Sequence, residues 1–297
     1  MKYALFLGCA IPIKYPGFEA ATRQVCARLG IELLDLPFSC CPPTSSMKLV
    51  HYESWLALAA RNLCLAEEAG LDLLTLCSGC VNTLKEANHV LRQSESRKRK
   101  VNKLLEEHNH SFRGTIEVTH ILDVLYQDVM VERLIKEKVR DIPLRVGCHY
   151  GCHYFRPPKV MYPEELSDAE SYVPVKMDHL LSIIGVEPTE FSRKFLCCGS
   201  PLGANVDQDA GYAITRQKLS YIQERNIQAL SVICPSCFEQ FDLGQIVLSR
   251  KTKDGEKIPT FFLTQLVGLA LGLSVREVGL DVHRVKAKKL LDSINII

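Results

Sequence analysis

Short apolar runs alternate with longer amphipathic stretches along this chain. The apolar runs 2–8, 71–76 and 229–233 have the length and composition of buried strands. Apolar residues at helical spacing occupy 56–69, 81–107, 213–226 and 238–249, and a further short strand with a helix is predicted in each of 115–125 and 258–271. Strands that alternate with helices in this way predict an α/β protein with parallel sheets.

The cysteines indicate an internal repeat. The pair Cys40-Cys41 and the motif Cys77-x-x-Cys80 occur again 157 residues later, as Cys197-Cys198 and Cys234-x-x-Cys237. An apolar run ends at the first cysteine of both CxxC motifs, so the repeat includes the strand before each motif. We therefore predict two tandem, pseudo-symmetric modules, 1–141 and 142–297, each a small parallel sheet flanked by helices.

The N-terminal cysteine of the repeat does not keep this constant shift, because the residue 157 positions after Cys9 is Leu166. Two cysteines lie upstream of that position, Cys148 and Cys152. The dipeptide Gly151-Cys152 mirrors Gly8-Cys9, which favours Cys152, and the polar stretch 163–172 is then expected to absorb most of the 14 additional residues as a surface loop. Cys148 stays open as the alternative to Cys152.

The composition is that of an ordinary globular protein. The chain has 297 residues, of which 47% are hydrophobic and 24% charged. Its net charge of +2 gives no reason to expect a nucleic-acid partner. The most apolar segment, 261–275, is shorter than a bilayer span requires, so no transmembrane helix is expected.

The start of the chain contains Phe6-Leu-Gly-Cys9, which resembles the cleavage site of a lipoprotein signal. Only five residues separate Lys2 from Gly8, however, and an export signal needs a longer apolar stretch. We therefore expect a cytoplasmic protein. Thirteen cysteines in a reducing compartment indicate metal binding or redox chemistry rather than structural disulfides.

The repeated cysteines follow predicted strands and precede predicted helices. In open parallel sheets this edge is where ligands bind, and the N-termini of helices there favour an anionic, thiolate-ligated centre. Each module offers five candidate ligands: Cys9, Cys40, Cys41, Cys77 and Cys80 in the first, and Cys152, Cys197, Cys198, Cys234 and Cys237 in the second.

Five thiolates exceed what the common sites need, because zinc sites and ordinary [2Fe–2S] or [4Fe–4S] clusters each take four. An interaction module with a four-cysteine zinc site and a spare thiol remains an alternative. A thioredoxin-like dithiol explains the CxxC motifs but not the Cys-Cys pairs. Cys26 and Cys64 fall inside helical patterns, where we expect small buried hydrophobes, and Trp55 is expected in the core.

The pattern C-x30-CC-x35-CxxC in the first module, and C-x44-CC-x35-CxxC in the second, resembles the cysteine-rich CCG domain. Two such domains in one chain resemble the catalytic B subunit of heterodisulfide reductase, as do the stretches Gly151–Pro158 and Phe195–Ser200. The resemblance covers almost the whole chain. It departs from the family at Pro42, where the domain's name expects glycine, and in the 44 residues before the second Cys-Cys pair.

This resemblance implies one noncubane [4Fe–4S] cluster in each module, bound by its five cysteines. It also implies reduction of the coenzyme M–coenzyme B heterodisulfide to two thiols, with the disulfide between the clusters and one electron from each. The implied candidates for catalysis are His153, alongside His149 or Tyr154, as proton donor, and Arg156, alongside Lys159, as the binding group for the sulfonate and phosphate of the substrate.

Electrons are expected from partner proteins, because the sequence has no dinucleotide fingerprint and no ferredoxin-type cysteine run. The resemblance implies two partners in the same complex, a ferredoxin-like iron–sulfur protein (the C subunit) with a flavoprotein (the A subunit), and further upstream a hydrogenase or formate dehydrogenase. Similar domains occur in thiol:fumarate reductase, in glycolate and lactate oxidation systems and in quinone oxidoreductases. An electron-transfer subunit of such a system is therefore the alternative function.

Overall fold

A computed structural model of the chain describes residues 1–43, 46–163, 173–252 and 257–297. Residues 164–172, most of the surface loop expected before the second Cys-Cys pair, lie outside the described residues. Over the part of the chain that is described, the fold is α/β and contains two four-stranded sheets.

The first sheet has the strand order β2-β1-β3-β4. Its strands are β1 (Lys2–Phe6), β2 (Glu32–Asp35), β3 (Leu73–Thr75) and β4 (Val118–His120). All neighbouring strands are parallel, with Leu5 opposite both Asp35 and Leu74, and Leu74 opposite Thr119. The central strand β3 is buried along its whole length, as expected for a parallel sheet covered on both faces.

The second sheet repeats the first. Its strands are β5 (Arg145–His149), β6 (Glu187–Pro188), β7 (Ala229–Val232) and β8 (Thr260–Phe262), again all parallel and in the order β6-β5-β7-β8. The central strand β7 is again fully buried. The predicted fold class, two pseudo-symmetric parallel sheets with flanking helices, is confirmed.

Helices connect the strands. Their bounds are α1 (Ala10–Lys14), α2 (Pro16–Arg28), α3 (Met47–Val50), α4 (Tyr52–Glu68), α5 (Ser78–Gln93), α6 (Glu95–Leu105), α7 (Ile121–Leu125), α8 (Asp128–Glu137), α9 (Pro158–Met161), α10 (Lys176–Ile183), α11 (Ser200–Asn205), α12 (Gln208–Gln223), α13 (Pro235–Thr252), α14 (Leu263–Ala270) and α15 (Lys288–Asp292). Among the helices of the described residues, none combines the length and hydropathy that crossing a bilayer requires.

The helix predicted over 81–107 is two helices. Ser94 has an extended backbone, with φ −134° and ψ 97°, and its hydroxyl accepts a hydrogen bond from the N–H of Arg97. Serine in this position caps the N-terminus of a helix. The chain therefore ends α5 and starts α6 at Ser94.

The chain divides into two compact units, each built around one sheet. Unit 1 contains Met1–Ile13, Ile31–Val124 and His153–Val173, and unit 2 contains Lys14–Gly30, Leu125–Cys152 and Pro174–Ile297. These bounds differ from the sequential division at 141, because α2 and α8 belong to unit 2 and α9 belongs to unit 1. The modules 1–141 and 142–297 stay a prediction about the repeat.

Aromatic packing explains why α2 belongs to unit 2. The ring of Phe18 stacks on Phe262 with centroids 3.8 Å apart, and Phe238 stacks on Phe262 at 4.4 Å. The hydroxyls of Thr22 and Thr264 lie 3.1 Å apart, inside this core. The apolar side of α2 is thus buried against β8 and α14.

Candidate metal centres

In unit 1, five cysteines lie at the carboxyl end of the parallel sheet. Cys9 lies between β1 and α1, and Cys40 and Cys41 lie in the loop after β2. Cys77 immediately precedes α5, and Cys80 lies in its first turn. This edge of an open parallel sheet is the usual place for a ligand.

The thiols of this first cysteine set lie close enough to interact. Cys41 Sγ and Cys80 Sγ are 3.1 Å apart. Cys80 is buried, and its hydrogen bonds with Cys41 and Cys77, together with burial, raise the pKa of its thiol well above the ordinary value. Burial, followed by the charges of Cys9 and Cys41, raises the pKa of Cys40. The structure therefore brings together all five cysteines predicted for the first module.

Gly8 makes room for the thiol of Cys80. Its backbone has φ +66°, a conformation that favours glycine. A Cβ atom at this position would lie 2.9 Å from Cys80 Sγ. The Gly8-Cys9 dipeptide thus sets how closely the first strand approaches the CxxC motif.

Hydrogen bonds hold the loop that carries Cys40 and Cys41. The carbonyl of Pro42 accepts hydrogen bonds from Trp55 Nε1 at 3.1 Å and from Thr83 Oγ1 at 3.3 Å. On the other side, Asn62 Oδ1 accepts from the N–H and the hydroxyl of Ser39, at 2.9 and 3.1 Å. Trp55 is fully buried, as predicted, and it also anchors this loop.

Unit 2 repeats the arrangement of the cysteines. Cys152 lies shortly after β5, and Cys197 and Cys198 lie just before α11. Cys234 separates β7 from α13, and Cys237 lies in the first turn of α13. As in unit 1, the thiols lie near helix N-termini, where the helix dipole favours negative charge.

The thiol of Cys197 connects this second cysteine set. Hydrogen bonds with Cys152 and Cys198 lower the pKa of Cys197 well below the ordinary value. The same contact with Cys197 raises the pKa of both Cys198 and Cys152. Hydrogen bonds with Cys198 and Cys234 raise the pKa of Cys237. The five thiols thus form one connected set in which a single negative charge suppresses the ionisation of its neighbours.

Cys148 and Cys152 have different surroundings. Cys148 lies on β5, and burial raises the pKa of its thiol, with Asp178 and Lys194 as the main charged neighbours. Cys152, in contrast, hydrogen-bonds with Cys197. The structure therefore places Cys152 in the second cysteine set and Cys148 against Asp178.

His149 ends β5 and is buried beside the second cysteine set. Its Nδ1 atom lies 3.4 Å from Lys218 Nζ and 3.3 Å from the carbonyl of Lys194. Burial, followed by the charge of Lys218, lowers the pKa of His149 to about 3, so the ring is neutral at physiological pH. The ring of Phe241 meets the imidazole edge to face at 5.0 Å.

The residues after Cys152 pack within unit 1. Asn82 Nδ2 donates to the carbonyl of Arg156 at 2.7 Å, and Lys85 Nζ donates to the carbonyl of Met161 at 2.8 Å. Both donors lie on α5, the helix that begins with the first CxxC motif. The backbone of Arg156 is therefore fixed relative to the first cysteine set.

The predicted catalytic residues differ in exposure. Arg156 is exposed, with its guanidinium 4.6 Å from the centre of the Phe155 ring, and Lys159 is also exposed. His153 is half-buried. Tyr154 is fully buried, and its hydroxyl donates to a carboxylate oxygen of Asp123 at 2.8 Å.

Two other cysteines lie away from both sets. Cys26 and Cys64 are fully buried on α2 and α4, and burial raises the pKa of each thiol to about 12. Such thiols are protonated and unreactive at neutral pH. The prediction that they are small buried hydrophobes is confirmed.

The donor sets fit a metal–sulfur centre in each unit. Thiolates are soft ligands that bind iron–sulfur clusters or zinc. Without a cation, buried thiols this close together do not all ionise, because a thiolate raises the pKa of the neighbouring thiols. A cationic centre removes that competition, because it lets several neighbouring thiolates form together. Five donors in each set fit a centre with more than one metal atom.

Sequence reasoning missed the side chains that hold the cysteine loops. Thr215 Oγ1 donates to the carbonyl of Cys198 at 2.9 Å, and Lys218 Nζ donates to the carbonyl of Arg193 at 2.9 Å. In unit 1, Asn62 and Thr83 have this role. The available signal was a polar residue on an otherwise apolar side of a helical pattern, since such a residue needs a buried hydrogen-bond partner.

These features define a tandem cysteine-rich α/β protein with five thiols at the same sheet edge in each half. The family model for the cysteine-rich domain CCG matches residues 3–85 and 146–242. The chain is 37% identical to the B subunit of the ferredoxin:CoB-CoM heterodisulfide reductase of Methanosarcina mazei, over 99% of this chain and 97% of the relative. The chain therefore belongs to the CCG family, among the B subunits of heterodisulfide reductases, and the resemblance found in the sequence is confirmed.

The chain is also similar to a fumarate reductase subunit and to a solved structure. The chain is 31% identical to the 8-methylmenaquinol:fumarate reductase membrane anchor subunit of Wolinella succinogenes, over 97% of this chain and 99% of the relative. The crystal structure of a hypothetical protein from Helicobacter pylori has the same fold, with a TM-score of 0.78 and 20% identity. That match covers 96% of this chain but only 52% of the Helicobacter chain.

Proposed function

We propose that this chain is the disulfide-reducing iron–sulfur subunit of a cytoplasmic heterodisulfide reductase complex. Each five-cysteine set holds one noncubane [4Fe–4S] cluster, and the substrate is the coenzyme M–coenzyme B heterodisulfide. The observation that carries this proposal is the fifth thiol in each set, because Cys9 and Cys152 join cysteines that would already satisfy an ordinary four-ligand site.

The protein's own residues have three tasks in this reaction. When bound, each cluster supplies one electron, so that two electrons and two protons convert one disulfide to two thiols. The ten cysteines hold the clusters. Arg156 and Lys159, both exposed, bind the anionic groups of the substrate, and His153 donates a proton to a departing thiolate.

Partner proteins complete the proposed complex. The Methanosarcina relative is named as the B subunit of a ferredoxin-dependent reductase. We infer two partners, a ferredoxin-like iron–sulfur protein (the C subunit) and a flavoprotein (the A subunit). A hydrogenase or formate dehydrogenase supplies them with electrons. Their role follows from the reaction, since this chain needs a source of single electrons.

The second candidate function is electron transfer within another oxidoreductase. The Wolinella relative favours it, because that protein is named as a subunit of a fumarate reductase. The two functions differ in what the purified complex reduces. Reduction of the heterodisulfide by a reduced viologen supports the proposed function, whereas iron–sulfur content without disulfide reduction supports the second candidate.

The first test is the metal content of anaerobically purified protein. We expect about eight irons and eight acid-labile sulfides per chain, the content of two four-iron clusters, and negligible zinc. Zinc in place of iron would contradict the proposal and would instead support a zinc-stabilised interaction module.

The ligand set has a matched pair of variants four residues apart. Cys152→Ala removes a thiol of the second set, so iron should fall to about four per chain. Cys148→Ala removes a buried thiol that faces Asp178, so iron should stay near eight. The reverse result, iron loss in C148A but not in C152A, would exchange the two assignments.

A further inference from the structure

A histidine and a lysine are buried together beside the second cysteine set. His149 is 1% exposed at the end of β5, and Lys218 on α12 is 3% exposed. Their atoms Nδ1 and Nζ lie 3.4 Å apart. A ring nitrogen of His149 and the Sγ atoms of Cys198 and Cys237 all lie within 4.8 Å of one another.

The ammonium of Lys218 lacks a carboxylate partner among the described residues. Its Nζ donates to the carbonyls of Arg193 at 2.9 Å and Lys194 at 3.3 Å, and to the carbonyl of Leu196. Burial lowers the pKa of Lys218 to about 8, and the charges that oppose this effect are those of Cys237, Cys198, Cys197 and Cys152. A buried cation requires compensating negative charge, and the thiolates of the second set provide it.

The two ring nitrogens of His149 have different neighbours. Nδ1 lies between a donor, Lys218 Nζ, and an acceptor, the carbonyl of Lys194. Thiolates only accept hydrogen bonds, so a neutral ring whose Nε2 pairs with a thiolate carries its proton on Nε2, with Nδ1 accepting from Lys218. His149 Nε2 is buried and has no hydrogen-bond partner among the described residues. A buried polar nitrogen without a hydrogen-bond partner is destabilising, so such groups almost always have a partner in the functional state.

We propose that Nε2–H of His149 donates a hydrogen bond to a thiolate of the second set, Cys198 or Cys237, when the cluster is bound. This inference rests on the proposed function in one respect, namely that the second set holds a cluster. A hydrogen bond to a ligand sulfur withdraws electron density from it and stabilises the reduced cluster. His149 is thus a positioning residue that raises the reduction potential of the second cluster.

The first module provides an internal comparison. Phe6 ends β1 as His149 ends β5, three residues before Cys9 and Cys152 respectively, and Phe6 is fully buried. The position 157 residues before Lys218 is Arg61, so both modules have a cation there. The cation is common to the two modules, but at the end of β1 the first has a phenyl ring where the second has the imidazole of His149 at the end of β5.

The test is an anaerobic potentiometric titration of the full chain, followed by EPR, with iron measured in every sample. The signal of the second cluster is the one that Cys152→Ala removes. His149→Phe introduces the side chain that the first module has at the equivalent position, Phe6. It should shift the midpoint of this signal to more negative potential, with iron content unchanged. His149→Gln keeps an N–H donor, so its midpoint should lie close to that of the wild type. Cys148→Ala, on the same strand, is the control and should leave the midpoint in place.

Each contrary result has a separate meaning. Unchanged midpoint and unchanged iron in H149F would show that no such hydrogen bond exists. Strong nitrogen coupling in pulsed EPR of wild-type protein with ¹⁵N-labelled histidine would make His149 an iron ligand and overturn the donor role, and this measurement needs no variant. Absence of iron from the wild-type second set would instead refute the proposed function.

Discussion

Gly8 offers a direct test of how closely the first cysteine set must be packed. In Gly8→Ala the new Cβ would lie 2.9 Å from Cys80 Sγ. Non-bonded heavy atoms reach their optimal separation at about 3.5–4.0 Å, so the sulfur must move by about 0.6 Å or more. Metal–ligand distances tolerate about 0.2 Å, which means that the displaced thiol no longer fits its site. We expect G8A to lose the first cluster and to retain about four irons per chain.

Gly70 provides the matched control. It has φ +64°, close to the +66° of Gly8, but a Cβ at Gly70 would have nothing within 4 Å. Both alanine variants carry the same left-handed strain, which costs about 1–2 kcal/mol. Only G8A adds the contact with Cys80.

The assay combines iron analysis with anaerobic denaturant unfolding of chelator-treated protein. Without metal, both variants should lose about 1–2 kcal/mol of unfolding free energy, while iron content should fall only in G8A. If G8A keeps wild-type iron content and a wild-type EPR spectrum, the thiol of Cys80 does not need its present position. If G70A loses as much iron as G8A, the effect comes from strain rather than from the contact.

Two predictions concern stability. The buried carboxylate of Glu67 accepts hydrogen bonds from the backbone N–H groups of residues 113–115, so Glu67→Gln should lower the unfolding free energy by about 2 kcal/mol. Glu68 is exposed, so the control Glu68→Gln should lower it by less than about 0.5 kcal/mol. Equal losses of the two variants in chemical denaturation would contradict this prediction. Burial lowers the pKa of His283 to about 4, and its Nε2 faces the amide N–H of Gln265. As pH falls, the unfolded chain binds a proton at this histidine before the folded chain does. The contribution of neutral His283 to the unfolding free energy is therefore present above pH 6.5 and is lost as pH falls toward 4. Between pH 7 and 5, the wild type should lose about 2 kcal/mol more unfolding free energy than His283→Asn. Parallel pH profiles of the two proteins would refute the assignment.

The sequence predicted the parts of the fold that repeat. The strands before the CxxC motifs are continuous apolar runs, and the constant shift of 157 residues made the two sheets comparable. One edge strand of each sheet, β2 in the first and β6 in the second, was not predicted, for a physical reason. β2 is the mostly exposed Glu-Leu-Leu-Asp segment, and β6 has two residues including a proline, so neither carries a burial signal.

The sequence also did not predict which parts of the chain pack against each other. The helical pattern around Phe18 shows that one side of α2 is apolar, but periodicity does not say which surface covers it, and the partner is Phe262, 244 residues along the chain. For the same reason the sequence left Cys148 and Cys152 as alternatives. Only the three-dimensional turn after β5 separates a thiol that faces Asp178 from one that faces Cys197.

The two cysteine sets share a fold but have unequal surroundings. Phe6 in the first module is an apolar neighbour, whereas His149 in the second supplies an N–H group aimed, in our proposal, at a ligand sulfur. Reduction adds negative charge to a cluster, and a hydrogen-bond donor stabilises that charge, so the second cluster should be reduced at the less negative potential. In a stepwise reductive titration its EPR signal should therefore appear first. Two signals with equal midpoints would mean that other groups around the first set compensate for the missing imidazole, and Arg61, at the position equivalent to Lys218, is the first cation to test.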